Sequence, residues 1–429
     1  MTTRIFTGII LYTGLAWAQT PPRLTLQEAK EIALKNHPKL LAAQNEVSFA
    51  DQQIRIARAA YYPQITGNLT GSQGNNGARI GAGALTTSRL FNRFGQGVLV
   101  DQLITDSGRT SNLVASSRLQ ARATQQDYQA TQYDVVLGVS QAYYDALHAQ
   151  AVVKVAQETV AARQLLSDQV NALAANNLKS QLDVSFAEVN VSEAKLLLLR
   201  AQNGVQEALA QLGRALGSDQ PANYQLVEEP VPSGPPPTVE DLVAQAMMNR
   251  PELAGLQLSR DAAYRFAEAE KDLSRPTVTA LAVGGFLPFL NNPTNSSIPA
   301  EYEGIAANVS IPVFNGHLFS ARREAANQHA LEADQKIRDE QERVARDVRV
   351  AWANATTAYQ RIDVTAQFLK QADLARQLAQ GRYDLGLSSI IELTQAQLNL
   401  TQAEIENLSA KYDYQSQYAA LQYAIGLLR

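Results

Sequence analysis

The chain of 429 residues contains no cysteine. This absence removes disulfides, thiolate metal sites and cysteine nucleophiles together, and with them a lipidated N-terminal cysteine as an anchor. Aromatic residues make up only 7 % and the net charge is −4, so the electrostatics give no support to a nucleic-acid partner. Long apolar runs are missing too. No run reaches the ~18 apolar residues of a spanning helix, which excludes a bundle of transmembrane helices. The four histidines, His37, His148, His317 and His329, form no His-Glu-x-x-His arrangement, and there is no phosphate-binding loop or Gly-x-Ser-x-Gly elbow. The expectation is therefore a protein that is not an enzyme and has no metal or cofactor site.

What is present begins with an export signal. Residues 1–18 combine Arg4, a short apolar stretch from Ile5 to Leu15 and the small-x-small site Ala16-Trp17-Ala18, so the mature chain is expected to start at Gln19. The rest of the chain is written twice. At a shift of 213 residues, Ala33, Asn36, Pro38, Leu40, Gln44, Pro63 and Gly71 fall on Ala246, Asn249, Pro251, Leu253, Gln257, Pro276 and Gly284. Beyond residue 100 the shift is 209, and Val139, Leu178, Ala187, Leu212 and Gly217 fall on Val348, Leu387, Ala396, Leu421 and Gly426. The second copy is thus four residues shorter in a loop between Gly71 and Val100. Residues 19–217 form the first copy, 218–238 a Pro-rich linker, and 239–429 the second copy.

Each copy carries a coiled-coil pattern. Val135, Val139, Ala142, Ala146, Ala149, Val153, Ala156 and Val160 alternate spacings of four and three, and Val344 to Leu369 repeat them. From Thr110 to Asn176 there is no proline, which predicts a rod of about 100 Å. After a break at Asn176-Asn177 the spacing resumes through Val184, Ala187, Val191, Ala194 and Leu212; in the second copy Asn407, Tyr414 and Gln417 interrupt it. The returning helix covers about 57 Å of the rod, and a helix from Pro38 to Tyr61 fits the remainder. One long helix beside two shorter ones stacked end to end is expected in both copies.

Between these helices lie four segments with strand character: Gln64–Ser72, Phe94–Leu103, Thr277–Phe286 and Glu303–Ile311. In the last, Ile305, Ala307, Val309 and Ile311 alternate with polar or small residues. Their lengths suit tilted membrane strands. Asn75–Asn92 and Leu287–Ala300 read as the loops joining each pair. Four strands cannot close a barrel, and open edges cannot exist in lipid. Two, three or four chains would give eight, twelve or sixteen strands.

The order of these features resembles the outer-membrane efflux proteins of the TolC type. The resemblance runs through Leu24 to Ala29, Ala33, Asn36-His37-Pro38, Tyr62-Pro63, the turn Asp106-Ser107-Gly108-Arg109 with Asn315-Gly316 as its counterpart, and the closing Leu216-Gly217 and Ile425-Gly426. It implies a mainly α fold with a membrane β portion. Three protomers would close a long α-helical coiled-coil barrel and a barrel of twelve strands. It also implies an outer-membrane location with most of the chain in the periplasm, and a passive exit duct served by a periplasmic adaptor and an inner-membrane transporter. An exit duct for secreted polypeptides shares this architecture, and an exported coiled-coil protein without a pore is a further alternative.

Residues at the helix-hairpin turns follow from the same resemblance. Arg382, Tyr383, Gly386, Leu387 and Ser388 match the family's tip pattern and are expected at the adaptor contact, together with Asn177 and Leu178 of the first copy, where Asn177 departs from the pattern's glycine. Gly386 suits the positive φ that ends a helix, and Asn177 tolerates it. Asp183 and Glu392 occupy equivalent positions just past the tips. They would ring the periplasmic aperture of a trimer; the alternative is a carboxylate stabilising a helix N-terminus.

Overall fold

The computed structural model of the chain describes residues 22–72, 79–82, 85–89, 93–219, 224–290 and 301–428; the leader lies outside these described residues. Strand β1 (Arg23–Leu24) leads into α1 (Leu26–Asn36) and α2 (Pro38–Arg58). Strands β2 (Gln64–Ser72), β3 (Arg79–Ala82), β4 (Leu85–Arg89) and β5 (Arg93–Thr105) precede the helical hairpin α3 (Arg109–Ala175) and α4 (Gln181–Ala215). The order then repeats as β6 (Gln225–Leu226), α5 (Val239–Asn249), α6 (Pro251–Asp272), β7 (Thr277–Leu290), β8 (Glu301–Ser310), α7 (Leu318–Asp384) and α8 (Ile390–Ala424). Helices α3 and α7 each have 67 residues, and α4 and α8 each have 35.

Local chemistry sets the helix starts. Thr25 and Glu28 form a reciprocal capping box at α1. The α1–α2 break falls at His37, whose Nδ1 accepts the Lys39 amide at 3.2 Å while Pro38 takes the first helical position. The long rods are continuous because nothing interrupts their backbone hydrogen bonds, and they lie in a single layer. Towards one end α3 packs on α2 and α6; towards the other it packs on α4 and α8, while α7 packs on α6 and α8. The expected seam is buried through Val135, Val139, Ala142, Ala146 and Ala156, but Val153 and Val160 are only half-buried. Below Ala156 the interior stripe moves to Arg163, Leu166 and Val170, because α3 must there face both α4 and α8. Asn407 and Tyr414, read from sequence as interruptions, are buried members of the seam. The Asn407 amide donates to Thr365 Oγ1 at 3.4 Å, and the Tyr414 hydroxyl donates to the Gly234 carbonyl at 2.9 Å.

The four long strands form one antiparallel sheet in the order β2-β5-β7-β8. Register aligns Ile65, Val100, Ala282 and Ile305 across it. Because side chains alternate, Ile65, Leu69, Val98, Val100, Phe286, Ile305 and Val309 share one face with Gln96, Glu301 and Glu303, and Thr66, Asn68, Thr279, Asn308 and Ser310 share the other with Leu99, Leu281 and Val283. Ile65, Leu69 and Ile305 are 70 %, 75 % and 91 % exposed, so an apolar surface is left open to the surroundings. Strands β2 and β8 leave both edges of the sheet unpaired among the described residues.

The structure corrects the loop readings. Part of Asn75–Asn92 is a second hairpin, β3 paired with β4. Strand β7 continues to Leu290, and the rest of the Leu287–Ala300 segment lies outside the described residues. The linker packs against the rest of the chain. Its β6 pairs in parallel with β1, the Tyr143 hydroxyl meets the carbonyls of Leu24 and Val227 at 2.8 and 2.7 Å, and the Trp352 indole donates to the Pro237 carbonyl at 2.7 Å.

Candidate functional site at the helical tip

The two hairpin turns end their helices by the same hydrogen-bond pattern. In the first, Asn177 N–H donates to the Ala174 carbonyl and Leu178 N–H to the Leu173 carbonyl, both at 2.9 Å. In the second, Gly386 N–H donates to Tyr383 at 3.0 Å and Leu387 N–H to Arg382 at 2.8 Å. This closure needs one left-handed residue, and Asn177 and Gly386 supply it with φ of 56° and 70°. The next residue is thereby thrown outward: Leu178 is 68 % exposed and Leu387 is 67 % exposed. A pair of apolar knobs stands at the end of the molecule.

A shared core brings the two turns together. Leu166 and Val170 of α3, Val184 and Ala187 of α4, Ala379 and Tyr383 of α7, and Ile390, Leu393 and Ala396 of α8 form one buried cluster. Lys179 Nζ sits 4.1 Å above the centre of the Tyr383 ring, and the Asn190 amide donates to Thr394 Oγ1 at 3.1 Å. Tyr383 is accordingly an interior residue, not part of an exposed contact patch. It seats the Leu387 turn, and burial pushes its hydroxyl pKa up, with Asp183 and Asp384 adding to the shift. Ser388 is half-buried. Sequence reasoning missed that the Tyr383 hydroxyl and Ser388 Oγ are both buried without a hydrogen-bond partner among the described residues.

The equivalent acids Asp183 and Glu392 have different partners. The Asp183 carboxylate closes a capping box, accepting from the Ser180 amide at 3.1 Å and the Ser180 hydroxyl at 2.9 Å. Glu392 instead pairs with Arg382 at 3.2 Å, and Ser389 makes no side-chain cap. The reason lies one turn back: the position matching Arg382 in the first copy is Leu173, which offers Asp183 no cation.

Further polar contacts cross the seam where the two copies meet, between α3 and α8. Asp134 accepts the Tyr423 hydroxyl at 2.6 Å, His148 Nε2 lies 2.8 Å from Ser409 Oγ, and Thr159 faces Thr401 at 3.4 Å. His148 is half-buried in this seam. Burial holds its pKa below the ordinary value, against Asp145 and Asp413, which favour the charged form. A histidine with a lowered folded pKa adds stability above its unfolded pKa, and that stability is lost as pH falls through the folded value. His148→Asn should therefore lose less thermal stability than the natural chain between about pH 7.5 and about pH 6, above the range where carboxylates titrate. Equal losses in the two proteins would remove His148 as the cause. Among the described residues, no three His, Asp or Glu side chains come together as a metal site, and no helix is long and apolar enough to cross a membrane.

Comparisons with known proteins account for the same features. The family described as outer membrane efflux protein matches residues 30–218 and again 242–427. Protein CyaE of Bordetella pertussis is 26 % identical over 435 residues, covering 97 % of this chain and 88 % of the relative. Outer membrane protein TolC of Escherichia coli strain K12 is 22 % identical over 417 residues, covering 94 % and 82 %. In fold, the crystal structure of CusC matches with a TM-score of 0.80 at 20 % identity, over 97 % of this chain and 95 % of that one. With one match on each copy and together spanning most of the sequence, the chain belongs to the outer membrane efflux protein family.

Proposed function

We infer that three copies of the chain form an outer-membrane exit duct that passively conducts small molecules delivered by a periplasmic adaptor and an inner-membrane transporter. The observation that carries this reading is the four-stranded sheet: it exposes Ile65, Leu69 and Ile305 and has two unpaired edges among the described residues, and it stands on helices of 67 residues. Unpaired edges are not tolerated in hydrocarbon. Strands β2 and β8 run in opposite directions, so pairing β8 of one protomer with β2 of the next keeps every neighbour antiparallel and closes twelve strands. The helices then extend about 100 Å into the periplasm. Leu178 and Leu387 at the far end are the residues assigned to the adaptor. Arg382 and Gly386 shape that turn, and Asp183 and Glu392 place carboxylates around its mouth.

The testing experiment deletes the gene and measures inhibitory concentrations for antibiotics, detergents, dyes and metal salts. Sensitisation reversed by re-expression is the expected result, and its chemical profile identifies the partner transporter's cargo class. Unchanged concentrations, together with loss of a secreted polypeptide from the medium, would replace this reading with polypeptide export.

A further inference from the structure

A cavity of about 390 Å³ lies over α3 between α2 and α6, near the sheet end of the helices. Phe49 and Phe266 wall it, the buried Ala121 and Ala263 form its floor, and the exposed Glu46 and Gln120 stand at its rim. The two rings are 56 % and 40 % exposed. Aromatic walls over a floor of small side chains make a slot that favours a flat aromatic body. Its charge has one sign. Among the described residues, Glu46 is the one carboxylate that lines the cavity, no lysine or arginine does so, and no ion pair occupies Glu46. His329 of α7 is the other titratable group at its edge. Arg118 and Arg122 are each two residues from Gln120, about 200° round α3, and so lie on the other side of the helix. The site complements a cation.

Helical phase places the cavity on the inside of a closed ring. Ser117 and Thr124, which line it, are followed at steps of seven by Thr131, Gly138 and Asp145, and a supercoiled rod keeps that spacing on one face. Gly138 and Asp145 are exposed. Tyr143 stands about 200° round the helix from Asp145, buried beneath β1 and the linker, whose Leu24 and Val227 carbonyls its hydroxyl meets. The cavity and those elements therefore occupy opposite sides of the helical layer. Four helices from each of three protomers, α2, α3, α6 and α7, spaced about 9 Å apart, close a ring of about 34 Å between opposite axes, with a bore of about 24 Å. Three copies of α1, β1 and β6 would block that bore. They belong outside, and the cavity opens inward, about 10–20 Å along α3 from Arg109.

The duplication divides the set. Phe49 is matched by Ala262, Phe266 by Gln53 and Glu46 by Ser259, so each copy supplies one ring and neither supplies both. Because α2 and α6 alternate round the ring, three copies of Glu46, Phe49 and Phe266 form a belt around the bore.

We propose that this luminal cavity is a cargo subsite for flat aromatic cations, which stack on Phe49 and Phe266 and set their charge against Glu46. It rests on the exit-duct function proposed above. A duct conducts only where its sites release as readily as they capture. One carboxylate and two half-open rings meet that condition, with dissociation constants of roughly 10 µM to 1 mM.

The test uses the full-length trimer in lipid nanodiscs and ethidium as the probe, read by fluorescence anisotropy and by equilibrium dialysis against empty nanodiscs. Saturable binding that weakens with salt is expected. Glu46→Gln should weaken it about fivefold and remove the salt dependence, while the neutral probe N-phenylnaphthylamine keeps its affinity. Phe49→Ala combined with Phe266→Ala should weaken both probes at least tenfold. Gln120→Trp, which fills the cavity from its exposed rim and empties no core position, should block both. Absence of saturable ethidium binding to the natural trimer would overturn the proposal, as would binding that persists through the phenylalanine changes and Gln120→Trp. Sensitisation on gene deletion without ethidium binding removes this site alone. Binding that depends on Glu46, in a protein whose deletion changes no inhibitory concentration, removes the cargo role together with the duct function on which it rests.

Discussion

Changing Leu178 and Leu387 together to Asp should reduce the inhibitory concentrations of effluxed compounds to those of a strain lacking the gene, while the trimer still assembles. Both side chains are about two-thirds exposed, so their loss removes almost nothing from the fold. At a contact each leucine would contribute about 1.5–3 kcal/mol on full burial, and an Asp in its place adds the desolvation of a charge. Two such losses correspond to a fall in affinity of roughly 100-fold or more. The measurement pairs efflux-dependent resistance with the amount of trimer in the outer membrane. Full resistance in a strain that makes normal amounts of the double variant would show that the knobs are not the contact.

The second large effect is expected at the other end of the returning helices, from Gly217→Ala and Gly426→Ala. Both glycines have left-handed φ, 80° and 73°. A Cβ at Gly217 would lie 2.9 Å from the His37 Cα, and one at Gly426 would lie 2.9 Å from the backbone of Asn249. Each glycine therefore lets the end of α4 or α8 rest directly on the break between the two short helices of its own copy. Left-handed strain of about 1–2 kcal/mol adds to overpacking of about 1–3 kcal/mol. The sites lie in separate copies, so the double variant should lose roughly the sum. Gly386→Ala is the control: its φ is also positive, but nothing lies within 4 Å of its Cβ position, so only the strain applies. Thermal unfolding of the solubilised trimer should rank Gly386→Ala clearly above the other two; equal losses in all three would show that backbone contact plays no part.

Those glycines show how sequence and structure divide the explanation. The matching Gly217 and Gly426 were visible as repeated letters, and so were the breaks at Asn36-His37-Pro38 and Asn249-Arg250-Pro251. That each glycine sits on its matching break depends on segments about 180 residues apart in the chain, and no local pattern encodes that contact. The tip divides in the same way. Positive φ at Asn177 and Gly386 follows from which residues tolerate it. The burial of Tyr383 follows from the neighbouring hairpin, which supplies Leu166, Val170 and Val184 against it.

Asp183 and Glu392 make the point most sharply. Both follow a serine at the same spacing, and the local rule assigns a capping box to both. Only Asp183 forms it, because Arg382 takes Glu392. The β3–β4 hairpin was missed for a different reason: Gly83, Thr86, Thr87 and Ser88 give little apolar alternation, and what remains is backbone pairing. The two-residue pairing of β1 with β6 was equally invisible, since each strand is too short to carry a period and its partner lies some 200 residues away.

The sequence alone determined the long rods, the returning helices, the four strands and their duplication, because these depend on spacings of two, three or four residues and on where proline and glycine are absent. Tertiary structure decided which charges are answered. The pairing of Glu392 depends on Arg382 across the hairpin turn, and the docking of the linker and the burial of Tyr383 depend on groups delivered from another helix or from the other copy; periodicity carries no information about such partners.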